Sequence, residues 1–312
     1  MTTHSLRRQA LVPLAGVLGL LVVLGAPALT ANEQEEKILY LTAVDQDGRS
    51  VTDLRTEEVL VREDNGDREV VSVKKSTKPL AISILADTTQ QAGGTGMMSS
   101  QTSQTGAAEL IRDIRVAIGM FVKEISSRSP ETEMQLMEFG QAAIPITKMT
   151  SNVADLEKGI TRLFPKPKAA SLLLEAIIES SKELSKTKAP RRAIVALNIE
   201  PGDEQSRQNI QQLHEELAKS RASLWAVSLQ VGQNRNQARG LVLERLTANT
   251  GGRREFIQAQ SALELMMKNI ADNLLQQYEV TYKRPGGGKA QGVLVGVRRD
   301  NLKLYASRIP PQ

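Results

Sequence analysis

The sequence contains no cysteine, has only two histidines among its 312 residues, and is 3% aromatic. Without cysteine the chain has no disulfide, no thiol nucleophile, no thiolate metal site and no cysteine-linked lipid. His4 lies in the amino-terminal segment, and His214 lies in a charged helical pattern, "QQLHEELAKS". The scarcity of aromatic rings leaves no stacking platform for nucleic-acid bases.

Charge and motifs give little support to nucleic-acid binding or nucleophilic catalysis. The formal net charge is +5, of which Arg7 and Arg8 supply two, so the chain after residue 31 carries +3. Its basic residues are interspersed with acids, as in "RREF". This small excess of positive charge predicts no nucleic-acid partner. The sequence also lacks a serine elbow of the form G-x-S-x-G. We therefore expect a protein that is not an enzyme.

The amino-terminal segment, residues 1–31, has the layout of a secretory signal peptide. Arg7 and Arg8 precede an apolar stretch over residues 10–24, and an A-x-A sequence follows at residues 26–28. The alternative is an uncleaved membrane anchor, but the apolar stretch is shorter than the roughly 20 residues that a bilayer span prefers. We expect an extracytoplasmic protein, secreted or periplasmic, with no membrane span after cleavage.

The rest of the chain divides into three parts by its residue patterns. Residues 32–78 predict a small β module with a hairpin turn at Asn65-Gly66. Residues 79–277 alternate between strand and helix patterns. Residues 278–312 return to β patterns in "YEVTYKR", "GVLVGVRR" and "LKLYASR". The two terminal β parts are able to pair into one small sandwich-like appendage.

The middle part predicts an α/β fold with a doubly wound, mainly parallel sheet. "LAISILAD" and "RRAIVALNI" are nearly continuous apolar runs, which are typical of strands buried on both faces. "ELIRDIRVAIGMFVKEI" places its apolar residues on one helical stripe. "EMQLMEF" and "AIPITKM", joined at Gly140, predict one antiparallel hairpin within the sheet. Repeated alternation of this kind indicates helices on both faces of the sheet.

Asp87 ends the first predicted strand of this sheet. Open α/β sheets often place ligand-binding residues at the carboxyl ends of their strands. The residues that follow, 88–107, carry no charge and are nearly all Gly, Ser, Thr and Gln. This composition predicts a flexible loop, which is either functional or disordered.

Four stretches carry a resemblance to a known family. They are "VDQDGRSVTDLRTEEVLVREDNGDREVVSV", "RRAIVALN", "LTANTGGRREF" and "LLQQYEVTYKR". With Asp87 at the end of the first sheet strand, their order resembles the secreted bacterial VWFA-related family that is common in acidobacteria. The resemblance covers nearly all residues after the signal segment. It implies a von Willebrand A domain, which is Rossmann-like in fold.

The resemblance also implies a metal-ion-dependent adhesion site. In the family, an Asp-x-Ser-x-Ser motif on one loop, a Thr on a second and an Asp on a third bind a divalent cation. Mg²⁺ prefers six oxygen ligands, and a partner's carboxylate completes its shell. The matching positions of this sequence are Asp87, Thr89 and Gln91 on the first loop, Ser171 on the second, and Asn198-Ile199 on the third.

Two of these positions depart from the family pattern. Gln91 replaces a serine with a longer amide, and Ile199 stands where the third-loop aspartate is expected and cannot bind a cation. Glu200 and Asp203 are the nearest acids that could replace it. Because anionic ligands are missing, we expect a degenerate site that holds either no cofactor or weakly bound Mg²⁺ or Mn²⁺.

The candidate metal ligands that remain are Asp87, Thr89 and Ser171. Each residue type also has an ordinary structural role at such a position. Asp87 is suited to cap the neighbouring helix or to accept hydrogen bonds from loop amides, and Ser171 to cap the helix that begins in "LLLEAI". The sequence leaves these alternatives open.

The sequence as a whole predicts an exported, non-enzymatic protein-binding module of adhesion type. Its unknown protein partner would bind the loops at the carboxyl ends of the strands, through an acidic side chain where a cation is held. The predicted contact residues are Asp87, Thr89, Gln91, Ser171 and Glu200. Without a working cation, the polar loop with Met97 and Met98 would supply the contact. The alternative function is an extracytoplasmic hydrolase that uses a cleft at Asp87.

Overall fold

The computed structural model describes residues 34–89, 100–166, 169–200, 202–207, 210–231, 235–286 and 289–311, and in the first helix it describes side chains from residue 106. The predictions for the signal segment, Gln91, Met97 and Met98 lie outside these residues. The strands are β1 Gln34–Val44, β2 Val59–Glu63, β3 Gly66–Arg68, β4 Val70–Lys75, β5 Leu80–Ala86, β6 Glu133–Phe139, β7 Ala143–Pro145, β8 Arg191–Glu200, β9 Ser223–Gln230, β10 Arg254–Ile257, β11 Tyr278–Pro285, β12 Val293–Val297 and β13 Lys303–Ala306. The α-helices are α1 Ser100–Arg128, α2 Val153–Thr161, α3 Leu173–Ser185, α4 Ile210–Ser220, α5 Gln237–Thr250 and α6 Leu263–Leu275.

A six-stranded sheet forms the centre of the fold, in the order β10-β9-β8-β5-β6-β7. Its strands pair in parallel except for β7, which runs antiparallel to β6. Counted along the chain, this order is 6-5-4-1-2-3, which is the order of a doubly wound sheet. The predicted α/β fold class and its single hairpin are thereby confirmed.

Both faces of this sheet are covered, which explains the continuous apolar runs of the central strands. Every residue of β5 is buried. Ile82 and Ile84 face a core shared with α1, α2 and α6, whereas Ala81 and Leu85 face a core shared with α3, α4 and α5. Because successive strand residues point to opposite faces, a strand covered on both sides needs apolar residues at every position. The only tryptophan, Trp225, is fully buried in the first of these cores.

The predicted loop over residues 88–107 is wrong over residues 100–107, because α1 begins at Ser100. The segment from Ser100 has no proline, and a helix already nucleated by an apolar stripe extends at little cost. The stripe itself lies where the sequence predicts it, with Ile111, Ile114, Ile118 and Phe121 buried. Residues 90–99 lie outside the described residues.

The two terminal β parts form the predicted appendage. β1 pairs antiparallel with β11 and with β13, and the resulting sheet has the order β13-β1-β11-β4. A second sheet, β12-β2-β3, packs on it through shared apolar residues that include Leu41, Val61 and Tyr282. The β2–β3 turn lies one residue earlier than predicted, at Asp64 and Asn65, whose φ angles of 49° and 65° are left-handed. Both residue types tolerate this conformation.

Residues 34–312 belong to one compact unit. The boundaries near residues 78 and 277 that the sequence indicates remain a prediction. Among the described residues, no helix combines the length and apolar character required to cross a membrane.

A buried ion pair joins the two sheets of the appendage. Arg284 Nε on β11 donates to Glu63 Oε2 on β2 at 2.8 Å, and Tyr282 Oη donates to Glu63 Oε1 at 2.7 Å. The Glu63 side chain is almost wholly buried. Its hydrogen bonds to Arg284 and Tyr282 lower the carboxyl pKa despite the opposing effect of burial. Glu63 is therefore held as a carboxylate by its partners.

We predict that Arg284→Ala destabilises the protein by about 3–5 kcal/mol, because the buried Glu63 carboxylate then keeps only Arg68, at 3.6 Å, as a cationic neighbour. Urea denaturation of the purified chain measures this change. Arg298→Ala is the matched control, since Arg298 is exposed in the same appendage, and should change stability by less than about 0.5 kcal/mol. Equal stabilities for the two variants would contradict the structural role of the pair.

Candidate functional site

The candidate site lies at the carboxyl ends of β5 and β8, the two strands between which the sheet order reverses. Ligands of doubly wound proteins bind in the crevice at this reversal. Asp87 directly follows β5, and its main-chain N–H donates to Leu197 O on β8 at 3.0 Å. The chain at Ser171 lies against the segment after β8, because Ser171 N donates to Asp203 O at 2.8 Å. The three predicted loops therefore do meet.

Asp87 is fully buried, and its carboxylate accepts hydrogen bonds from the protein itself. Oδ1 accepts from Thr89 N at 2.9 Å and from Thr89 Oγ1 at 2.6 Å. Oδ2 accepts from Ile199 N at 2.9 Å. Asp87 thus bonds loop amides, which is one of the alternatives that its sequence position allows.

Burial raises the pKa of Asp87 to about 6, because it penalises the charged carboxylate. The donors at Ile199 and Thr89 act in the opposite direction, as does the positive charge of Arg239. These groups favour the carboxylate form and partly offset the cost of desolvation.

Ser171 is also buried, and it does not cap α3. The N-cap of that helix is Leu172, which makes no side-chain capping bond. The Ser171 hydroxyl instead accepts a hydrogen bond from Arg239 Nη1 at 3.1 Å and donates to Glu204 Oε2 at 3.3 Å. The capping alternative for Ser171 is therefore wrong.

Glu200 is the last residue of β8, and it is buried under the loops instead of facing solvent. Its Oε1 accepts from Asn198 Nδ2 at 3.1 Å and from Arg254 Nη2 at 3.2 Å. Its Oε2 lies 3.0 Å from Arg239 Nη2. One carboxylate thus pairs with two arginines.

Arg239 is the central residue that the sequence patterns did not reveal. Its side chain is fully buried, and besides its contacts with Ser171 and Glu200 it donates from Nη2 to Ile199 O at 2.7 Å. Its position in α5 is set by Asn236, the N-cap, whose side chain accepts from Arg239 N at 3.0 Å. A fully buried arginine is rare unless it is paired, but nothing in its local sequence marks it as buried.

The remaining polar groups do not fit a divalent cation. Both oxygens of Asp87 and the hydroxyl of Ser171 already accept protein hydrogen bonds, and a guanidinium lies against Ser171. The Ile199 side chain belongs to the apolar core, so only its main chain serves the site. In the described part of the chain, no group of three or more histidine, cysteine, aspartate or glutamate side chains is arranged to hold a metal ion.

The four described residues that the sequence predicts as partner contacts are all buried. Asp87 and Glu200 are fully covered, and Thr89 and Ser171 are at most 3% exposed. Their side chains hold the loops in place from the protein interior. In this conformation a partner would therefore contact other side chains at this edge of the sheet. A hydrolytic Asp87 would likewise need to reach its substrate, and here its oxygens are covered.

Solved structures with some likeness to this chain include three proteins. The PilB minor pilin from Streptococcus sanguinis is 13% identical with a TM-score of 0.47, over 64% of this chain and 62% of the pilin. A von Willebrand factor type A protein from Catenulispora acidiphila is 10% identical with a TM-score of 0.47, over 88% and 72%. The vWF domain of the type V pili tip protein Mfa5 from Porphyromonas gingivalis is 11% identical with a TM-score of 0.46, over 63% and 95%.

This chain therefore spans less than two thirds of the pilin's length. Neither a protein-family model nor a curated protein matches the sequence. At such low identity these likenesses carry no information about function.

We predict that Asp87→Ala lowers stability by about 2–5 kcal/mol, because it removes the acceptor of the buried Ile199 N–H and of two hydrogen bonds from Thr89. Chemical denaturation measures this change, and Asp203→Ala is the matched control. Asp203 lies at the same edge of the sheet but is exposed, so its loss should cost less than about 0.5 kcal/mol. A wild-type stability for Asp87→Ala would show that the carboxylate is not structural.

Proposed function

We propose that the chain is an exported, non-enzymatic protein-binding module of adhesion type. Its partner binds the loops at the carboxyl ends of the central sheet. Export rests on the signal-like segment of residues 1–31, and the adhesion-type class rests on the resemblance of the sequence. The observation that supports a binding role is the combination of a rigid buried polar cluster with exposed apolar side chains at the same edge.

Two large apolar side chains are exposed at this edge. Phe164 is 57% exposed and stacks under Arg115, whose guanidinium carbon lies 4.8 Å from the ring centroid. Its segment is held beside the first loop, because Lys166 N donates to Thr88 O at 2.7 Å. Val231, which directly follows β9, is 46% exposed. Aromatic and aliphatic side chains on a rigid support are typical anchors of a protein interface.

The two anchors belong to segments at the same edge of the sheet. Phe164 is tied to the loop after β5, and Val231 follows β9, which is two strands away in the sheet. Two strand spacings amount to roughly 10 Å, which is well within a standard protein interface. The buried cluster between them keeps the loops in place and reduces the entropy cost of binding.

We predict that photo-crosslinking residues placed at Phe164 or Val231 give discrete protein adducts when the exported chain is expressed in its cell of origin. The same label at Leu60 is the control, because Leu60 is exposed on the appendage away from this edge. With the partner purified from the adduct, Phe164→Ser together with Val231→Ser should weaken binding about tenfold or more, as expected for loss of interface anchors.

Adducts that form at Leu60 alone would contradict the proposed location. The hydrolase alternative makes a different prediction: turnover of ester or peptide substrates that Asp87→Ala abolishes and Phe164→Ser leaves intact. Observation of such turnover would overturn the non-enzymatic proposal.

A further inference from the structure

The guanidinium of Arg239 connects the loops that a bound cation would connect in the family that the sequence resembles. It contacts the Ser171 hydroxyl on the second loop. On the third it contacts the main chain of Ile199 and the carboxylate of Glu200. The first loop is joined through Ile199, whose N–H donates to Asp87 and whose carbonyl accepts from Arg239.

We propose that Arg239 takes the place of a divalent cation in this protein, so that a side-chain charge built into the fold holds the three loops together without metal. A guanidinium has five N–H donors in a rigid plane and stays protonated even when buried. It can therefore supply to several oxygens the positive charge that a metal ion would otherwise supply.

The space for this guanidinium depends on a glycine. A Cβ atom built on Gly202 would lie 1.8 Å from Arg239 Nη1 and 2.3 Å from Arg239 Cζ. Gly202 is buried in the third loop. The arginine cannot easily move aside, because its two terminal nitrogens are bonded to Ser171 and Ile199. A glycine at this position therefore lets the third loop pack directly against the guanidinium of Arg239.

The cluster already contains two positive charges beside its carboxylates. Arg239 and Arg254 both lie against Glu200, and Arg239 Nη1 is 3.8 Å from Glu204 Oε2. A divalent ion inserted among these groups would lie within a few ångströms of a buried positive charge, where repulsion is weakly screened. It would also have to displace the hydrogen bonds already made to Asp87 and Ser171.

This arrangement changes which chemical groups a partner must supply to bind at the site. A metal site offers an open coordination position that an acidic side chain fills, whereas the guanidinium of Arg239 is covered by its own acceptors. Recognition at this edge is then independent of metal and does not require an acid from the partner. That consequence rests on the proposed function, while the metal-independent structure of the loops does not.

The first test is thermal unfolding of the purified wild-type chain with millimolar MgCl₂, MnCl₂ or EDTA. An ion that binds only the folded state raises the midpoint as its concentration exceeds Kd. We expect the same midpoint in all three conditions. A rise with either cation, or a fall with EDTA, would overturn the proposal, whatever the outcome of the crosslinking experiment.

The second test removes the built-in charge. Arg239→Ala should lower the midpoint, and Mn²⁺ should restore part of the loss, because Glu204 and Ser171 then lose their cation and Glu200 keeps only Arg254. Arg191→Ala is the matched control. Arg191 is equally buried but donates to Lys78 O and Leu274 O at the opposite ends of the strands, so Mn²⁺ should have no effect on it.

A folded Arg239→Ala that does not respond to Mn²⁺ would count against the proposal. If that variant does not fold, Gly202→Ala tests the same contact, since it crowds the guanidinium without removing it. We expect a lower midpoint for Gly202→Ala and no loss for Gly119→Ala, whose added Cβ has no atom within 4 Å. An unchanged midpoint for Gly202→Ala would show that the guanidinium does not depend on this position.

Discussion

The contact of Arg239 with Ser171, Ile199 and Glu200 is the interaction on which the carboxyl edge of the sheet depends. Parallel strands bring their loops to one edge, but they do not connect these loops to each other. A central positive charge does, because the second and third loops both supply oxygens to Arg239, and Ile199 joins the first loop to it through Asp87. In this chain the charge comes from the first turn of α5, which is held in place by Asn236.

Burial strengthens the interactions within this cluster and makes an unpaired member of it costly. Asp87, Glu200 and Arg239 are all withdrawn from water, and each would be costly there if it lacked a partner. The raised pKa of Asp87 records that cost, and the donors from Ile199 and Thr89 oppose it. Removal of any one member of the cluster would therefore destabilise the loops. Contacts with a partner are better made by exposed groups, which become desolvated only on binding.

Much of the fold could be predicted from the sequence, whereas the content of the site could not. The unbroken apolar runs at β5 and β8 predict a sheet covered on both faces, and Asp87 is found at the strand end where the pattern places it. Arg239 escaped prediction because its partners are 35 to 68 residues away, and no periodic pattern links them. The loop prediction for residues 100–107 was wrong because it relied on the low-complexity composition of the segment. That composition did not prevent α1 from extending through it.

Ile199 serves the site through its main chain and not through its side chain. Its side chain cannot bind a cation, and it packs in the apolar core. Its main chain nevertheless bonds both Asp87 and Arg239. An aspartate there would place a charge in that core unless the strand turned its side chain toward the loops. An apolar side chain at position 199 and an internal arginine are thus physically compatible: the first leaves only main-chain groups for the site, and the second supplies the positive charge that the acceptors around it require.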